Sequence, residues 1–209
     1  MSDDEKFHVA RHDEREVFDR DAINRLLDNQ YVAHVGFIDQ DNQMPFVIPM
    51  GFARDNDRIL LHGSTGSRMM RQIAQGIDIC VTITQLNAIV VARSSFNSSM
   101  NYESAMIFGT ARVLRDSEKD LALERITEKL VPGLSKYGRP LVSKEIAATM
   151  IVELSLDKVS AKSRTGDPLD DEEDLALPIW AGLLPIETNL GAPITAANAI
   201  GIAVPPHIA

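Results

Sequence analysis

The stretch PFVIPMGFARDNDRILLHGSTGSRMM, residues 45–70, decides how the chain reads. Two apolar runs, 45–54 and 58–64, flank the polar turn RDND. Short strand-like runs separated by a few turn residues form an antiparallel hairpin. Pro49 sits inside the first run, where it removes one ladder donor, so a bulge or a sheet edge is expected there. The second run ends in glycine and small polar residues and passes at once into a helical pattern. That helix is expected from about Ser67 to Gln75, with Met69, Met70 and Ile73 as its apolar stripe. Gly76 suits its C-terminal end.

Working outward, Asp19 can cap a helix in which Ala22, Ile23, Leu26 and Leu27 recur at helical spacing. YVAHVGFI (31–38) is a strand, joined to the opening stretch by the turn-rich DQDNQ. DICVTITQL (78–86) and AIVVARSS (88–95) are expected to form another hairpin around Leu86–Asn87. A polar loop carrying Ser98, Ser99, Asn101 and Tyr102 leads to the strand SAMIFGTARVL (104–114). Ser117 opens an amphipathic helix to about Val131, with Asp120 three residues on as a weak capping box. PGLSKYGRP is loop, and a short helix (143–149) leads into the strand MIVELSL (150–156). Strands grouped in hairpins rather than alternating with helices give a mainly β fold: an antiparallel barrel with peripheral helices.

The chain divides into a polar N-terminal arm (1–18), one domain (19–185) and a tail (186–209) expected to dock on the barrel or on a partner subunit. The acid run 170–174 reads as a solvated loop. IWAGLLP (179–185) is too apolar to be left in water.

The charge balance narrows the function classes. Lys and Arg number 21 against 30 Asp and Glu, a net charge of -9. Nucleic-acid surfaces need basic residues to displace counterions, so that class is not expected. One cysteine, Cys80, permits neither an internal disulfide nor a CxxC metal site and reads as a small core residue. The charged N-terminus shows no signal segment, and no run approaches the ~20 apolar residues of a membrane span. A cytoplasmic location without a membrane partner follows as the expectation. The five histidines are scattered, and His34 alternates with apolar neighbours as a sheet residue does. Without an HExxH or Gly-x-Ser-x-Gly pattern, no metal ligand or catalytic base is assigned.

The junction LLHGSTGSRMM has its own chemistry. A helix N-terminus offers free N–H groups and partial positive charge, which makes it a seat for phosphate. Ser64, Thr65 and Ser67 add hydroxyls, Arg68 adds a bidentate fork, and His62 is a further donor from the strand end. Gly63 and Gly66 permit close backbone approach. The spacing is neither that of a P-loop nor that of a dinucleotide fingerprint.

GFIDQDNQMPFVIPMGF, LLHGSTGSRMM, ARSSFNSSMNYESAMIFGTA, SAKSRTGDP and PIWAGLLP, in this order, resemble the FMN-binding split-barrel proteins related to pyridoxamine 5'-phosphate oxidase. Within them the match is to the flavin-nucleotide-binding or 5-nitroimidazole-resistance-like group, over about residues 10–190. The resemblance implies a six-stranded antiparallel split barrel that holds FMN at a homodimer interface. It implies phosphate near His62, Gly63, Ser64, Ser67 and Arg68. Val47, Ile48, Pro49 and Met50 would run beside the isoalloxazine. Ser99, Asn101 and Tyr102 would lie at or near the cofactor, with Lys162 as a further anion partner and Trp180 on the ring or in the subunit interface. The chain departs from the group at Asn97 and Ser98, where histidines are expected, and at Glu103, where arginine is expected. These changes are expected to weaken the flavin or to alter the substrate admitted. The function implied is a flavin oxidoreductase that takes electrons from a reduced nicotinamide and passes them to a small oxidised or nitroaromatic compound. The alternatives are a non-catalytic module for FMN, or for haem through His62, and pyridoxamine-phosphate oxidation. The last is disfavoured because the chain shows no second cation cluster for another phosphate.

Overall fold

A computed structural model describes residues 13–17 and 19–208. The arm expected at 1–18 therefore lies mostly outside the described residues. In chain order the elements are α1 (Arg20–Asn29), β1 (Val32–Ile38), β2 (Pro45–Asp55), β3 (Arg58–Ser64), α2 (Arg68–Ala74), β4 (Asp78–Val91) and β5 (Ser99–Thr110). There follow β6 (Arg112–Val113), α3 (Asp116–Leu130), α4 (Leu134–Tyr137), α5 (Ser143–Ala148), β7 (Thr149–Ser155), β8 (Val159–Arg164) and β9 (Gly182–Pro185). The strands form one antiparallel sheet in the order β6-β7-β3-β2-β1-β4-β5-β8, with β9 added on β4. The mainly β antiparallel fold is as the sequence implies, with nine strands among the described residues rather than six.

The split comes from β2. Its first half, Pro45–Gly51, pairs with β1, and its second half, Phe52–Asp55, pairs with β3. The sheet thereby curls around a core of Leu26, Leu27, Val35, Leu61, Ile83 and Ile107 among others. A second core under α3 joins Ala53, Leu60, Leu114, Ala122, Ile126 and Ile151. Strand alternation does this sorting: on β3, Ile59 and Leu61 face the main core while Leu60 faces α3. Each buried aliphatic side chain contributes roughly 2 kcal/mol.

Local signals are obeyed at the hairpin. Asn56 takes φ 55 in the β2–β3 turn. Asp19 caps α1, its side chain accepting from the Asp21 amide at 3.0 Å. Gly76, at φ +88, ends α2.

Three expectations fail. No hairpin turns at Leu86–Asn87: β4 is one continuous strand whose register against β5 shifts between Leu86 and Ala88. A two-residue hairpin needs positive φ, and among the described residues only Gln43 and Asn56 take it without being glycine. Asn87 is therefore a bulge. The loop expected to carry Ser99, Asn101 and Tyr102 is instead the first turn-free part of β5, because β4 runs on far enough to pair with it. The capping box at Ser117–Asp120 is not used either: α3 starts at Asp116 with Arg115 as N-cap and no side-chain cap bond. Of IWAGLLP, Gly182–Pro185 docks as β9 against Ala88–Val91, while Ile179 and Trp180 stay exposed.

Candidate functional site

The strand–helix junction is a tight polar turn. Ser64 Oγ accepts from the Gly66 amide at 3.1 Å, and the Ser67 amide donates to the Ser64 carbonyl at 3.0 Å. Ser67 is the N-cap of α2, its Oγ accepting from the Met70 amide at 3.4 Å. The Thr65 amide donates to the Ala148 carbonyl at 2.9 Å, which ties the turn to the end of α5. The first-turn amides of Arg68 and Met69 have no intrahelical acceptor. Gly63 sets how closely α2 packs: a Cβ there would stand 2.8 Å from Met70 Cγ.

Arg68 joins this junction to β2. Its Nε lies 3.1 Å from Asp39 Oδ2, and its guanidinium sits 5.3 Å from the Phe46 ring centroid. The side chain remains half exposed, whereas Asp39 is fully buried. Asp39 Oδ1 also accepts from the amides of Asp41 at 3.0 Å and Asn42 at 3.3 Å. Gln72 of α2 accepts from the Gln40 amide at 3.2 Å. The sequence reading missed Asp39 and Phe46. The available signal was Asp39 as first residue of a turn, where an Asx side chain bonds the following amides.

Beside Arg68 lies the open edge of β2. On β2, β3 reaches only Phe52–Asp55, so among the described residues Pro49 stands at an edge, as its missing N–H requires. Side chains alternate here. Ile48 and Met50 pack on the main core, while Val47 is 65% exposed and Pro49 is exposed too. At this edge the backbone, Val47 and Pro49 are the most exposed groups, with Ile48 and Met50 partly buried behind them.

His62 lies apart from that seat. It pairs with Ile151 and shares the face of Leu60, whereas α2 packs on the opposite face through Met69, Met70 and Ile73. The imidazole is half-buried, and its Nδ1 has no hydrogen-bond partner among the described residues. Burial holds its pKa below the ordinary histidine value, so the ring is neutral at pH 7.

The remaining candidates form a second region. Tyr102 pairs with Leu86 and Asn101 with Ala88, beyond Thr82, which pairs with His34 opposite Pro49. Four to six residues along a strand separate the regions by about 13–20 Å within one chain. Asn101 is buried and fully engaged: Oδ1 accepts from Arg164 at 2.5 Å and Nδ2 donates to the Gly166 carbonyl at 2.9 Å. Ser99 opens β5 opposite Val90 and is exposed. Lys162 on β8 forms a backbone β-bridge with Glu16. Trp180 is 62% exposed and lies against Gly182 of β9.

The unusual residues build this end. Asn97 Nδ2 donates to Asp171 Oδ2 at 3.2 Å, Ser98 Oγ accepts from the Ala92 amide at 3.0 Å, and Asn87 Nδ2 donates to Glu103 Oε2 at 3.4 Å. The acid run is not uniformly solvated. The Asp170 side chain is only 3% exposed and takes the Arg93 amide and Nη1, each at 2.7 Å. Desolvation opposes its ionisation, but these hydrogen bonds prevail and hold it below the usual carboxylate range.

Residues 19–163 match the family model described as pyridoxamine 5'-phosphate oxidase. A FAD- and haem-binding protein from Mycobacterium smegmatis is 38% identical, with a TM-score of 0.89, over 93% of this chain and 95% of that one. A flavocytochrome from Azotobacter vinelandii is 37% identical, with a TM-score of 0.90, over 97% of this chain and 94% of that one. A candidate 5-nitroimidazole antibiotic resistance protein from Bacteroides thetaiotaomicron shares the fold at 22% identity and a TM-score of 0.56, over 70% of this chain and 85% of that one. No curated protein matches the sequence. No helix among the described residues is long and apolar enough to cross a membrane.

Proposed function

Because this chain belongs to the pyridoxamine 5'-phosphate oxidase family, we propose that it binds a flavin nucleotide at the β3–α2 junction and serves as an oxidoreductase for a small oxidised or nitroaromatic compound. The observation that carries this is the pairing of a phosphate seat with an open strand edge. First-turn amides without helical acceptors and a half-exposed guanidinium lie beside the open edge of Val47–Met50, which pairs with β1 on its other side. Asp39 and Phe46 fix the guanidinium, so its remaining N–H groups are presented without further loss of rotamer freedom. Ser64 and Ser67 hold the turn in shape, and Arg68 with the amides takes the anion.

FMN and FAD share the ring and first phosphate, so this seat suits either. FMN is the form that the family resemblance implies, and the Mycobacterium smegmatis relative is named for FAD. A bound flavin supplies one- and two-electron redox chemistry at its ring. The protein contributes binding, orientation and exclusion of water. The seat is open on one side, and exposed Val47, Leu190, Ile194 and Ile200 leave apolar surface of the kind that marks interfaces. A homodimer covers it, the second copy bringing its Ser99, Tyr102, Lys162 and Trp180 region toward the ring. Asn101 acts there by positioning Arg164 and Gly166.

The visible spectrum of freshly purified protein tests this reading. Flavin bands are expected, with FMN or FAD identified by the mass of the released nucleotide. Arg68→Ala with Ser67→Ala is expected to lower flavin retention at least ~10-fold, about 1.4 kcal/mol. Colourless protein that does not take up added FMN or FAD would overturn it. Light scattering that gives a monomer at micromolar concentration would remove the dimer.

A second reading has its own support. A neutral, half-buried imidazole with an unpartnered Nδ1 is a suitable haem ligand, and the Mycobacterium smegmatis relative is named for haem. Added haemin is expected to give a Soret band that His62→Ala removes while flavin retention persists. Its persistence in that variant assigns the ligand elsewhere.

A further inference from the structure

A cleft of about 530 Å³ lies at the far end of the sheet, where the end of α1, the β4 bulge and the segment after β9 meet. Its polar walls are Asn29, Gln30, Gln85, Thr188 and Asn189, and its apolar walls are Leu86, Ile186 and Leu190, with Tyr31 at the side. None of these side chains is charged. The volume is that of a small-molecule site. The tail forms one wall because the Ile186 amide donates to the Asn87 carbonyl at 2.9 Å, at the bulge itself.

The amides are ordered by one carboxylate. Glu103 accepts from Asn87 Nδ2 at 3.4 Å. Asn87 Oδ1 then faces Gln85 Nε2 at 2.8 Å, and Gln85 Oε1 faces Gln30 Nε2 at 3.0 Å. An ionised carboxylate only accepts, so it permits one direction along the chain of three amides. Gln30 is left presenting its Oε1 and its second Nε2 hydrogen. Arginine at 103, the residue expected from the resemblance, only donates and would reverse every amide in the row. The departure at Glu103 and the bulge at Asn87 thus have one common consequence, a fixed donor–acceptor edge at Gln30.

We propose that this cleft binds a neutral planar ligand through a carboxamide-type edge: an aromatic carboxamide such as a nicotinamide head group, or the equivalent edge of a nucleobase. Amide pairs with amide through one N–H donor and one carbonyl acceptor, and the apolar walls take the ring. An anion is disfavoured because no lining side chain is cationic. Tyr31 precedes Val32, which pairs with Gly51 just past Val47–Met50. Use of the ligand as a redox partner therefore rests on the flavin reading, whereas its binding does not.

Calorimetry on the full-length protein as purified, with nicotinamide, nicotinate and uracil as probes, tests this. Nicotinamide is expected to bind saturably and nicotinate at least ~10-fold more weakly. Gln30→Leu is expected to weaken nicotinamide by ~10-fold with flavin retention unchanged, and Glu103→Gln to shrink the preference over nicotinate severalfold. Leu86→Trp, which fills the cleft, gives the same loss if Gln30→Leu folds poorly. Uracil that competes with nicotinamide supports the cleft and assigns the nucleobase edge; uracil that does not compete supports it for the aromatic carboxamide. Equal binding of nicotinamide and nicotinate, unchanged affinity in both cleft variants, or no saturable nicotinamide binding would overturn it. Nicotinamide binding without flavin would overturn the flavin reading alone, and flavin without nicotinamide binding this one alone.

Discussion

The β3–α2 junction and the β4–β5 end of the sheet reach polar order by different routes. At the junction, most groups come from one run of chain: turn amides, a helix N-terminus and two serines within four residues, with Arg68 anchored to Asp39 of the β1–β2 turn. At the other end, order comes mainly from side-chain pairs far apart in sequence, Asn101 with Arg164 and Arg93 with Asp170, with Asn87 and Glu103 paired across β4 and β5. A local site tolerates loss of a surface charge but not a change in backbone fit. A long-range site tolerates backbone variation but not the loss of a buried partner.

The largest effect should follow from breaking the local fit. Gly63→Val places a branched side chain where a single Cβ already stands 2.8 Å from Met70 Cγ, so α2 must move. Overpacking of this kind costs about 3 kcal/mol. Denaturant melts are expected to show that loss, with flavin retention falling alongside. Gly63→Val combined with Met70→Ala should recover part of both. Full stability in the single variant would mean that α2 is not seated by this contact.

Asn101→Ala tests the long-range side. It leaves an Arg164 N–H and the Gly166 carbonyl without their partner inside the fold. A loss of about 2 kcal/mol is expected from such buried groups. Chemical denaturation measures it, and Asn101→Asp, which keeps an acceptor for Arg164, should lose less. A neutral alanine variant would show that water replaces the bonds and that this end is held by β-pairing alone.

These two regions also differ in how far the sequence disclosed them. Strands β1 to β3 and helix α2 are legible nearly to the residue, because alternation, the RDND turn and Gly76 are all local signals. The apparent hairpin at Leu86–Asn87 misleads because a bulge leaves no turn residue, and a polar interruption between apolar runs looks the same either way. Ser99–Tyr102 look like loop because serine and asparagine favour loops, yet Asn101 is buried by a partner 63 residues away. Asp39 reads as an exposed turn residue, and only the approach of α2 reveals it as the counter-ion of Arg68. The junction's chemistry was therefore readable, whereas the separation of the candidate residues into two regions, and the position of His62 on the opposite face, were not.

Arg68→Ala is expected to cost less stability than either change above. The pair is half exposed on the arginine side, and Asp39 keeps the Asp41 and Asn42 amides. About 1 kcal/mol is expected. Adding Asp39→Asn should restore stability by removing the buried charge, but should not restore flavin retention. That split separates a residue that binds an anion from one that only balances a carboxylate.

The smallest effect is the pH dependence carried by His62, and its sign distinguishes burial from ion pairing. Burial lowers the folded pKa, so below the ordinary value near 6.5 the unfolded chain takes up a proton that the folded chain resists. The folded state is then penalised as pH falls from 7 toward 5, and the penalty levels off below the lowered folded pKa. A histidine paired with a carboxylate would show the reverse slope. His62→Gln removes the titrating group, so its stability should fall less than that of the parent between pH 7 and 5. Matched denaturant melts at the two pH values measure the difference. Parallel profiles would mean that water reaches Nδ1 freely, and that the unpartnered imidazole on the α3 face is not the buried neutral ligand that haem binding at this position requires.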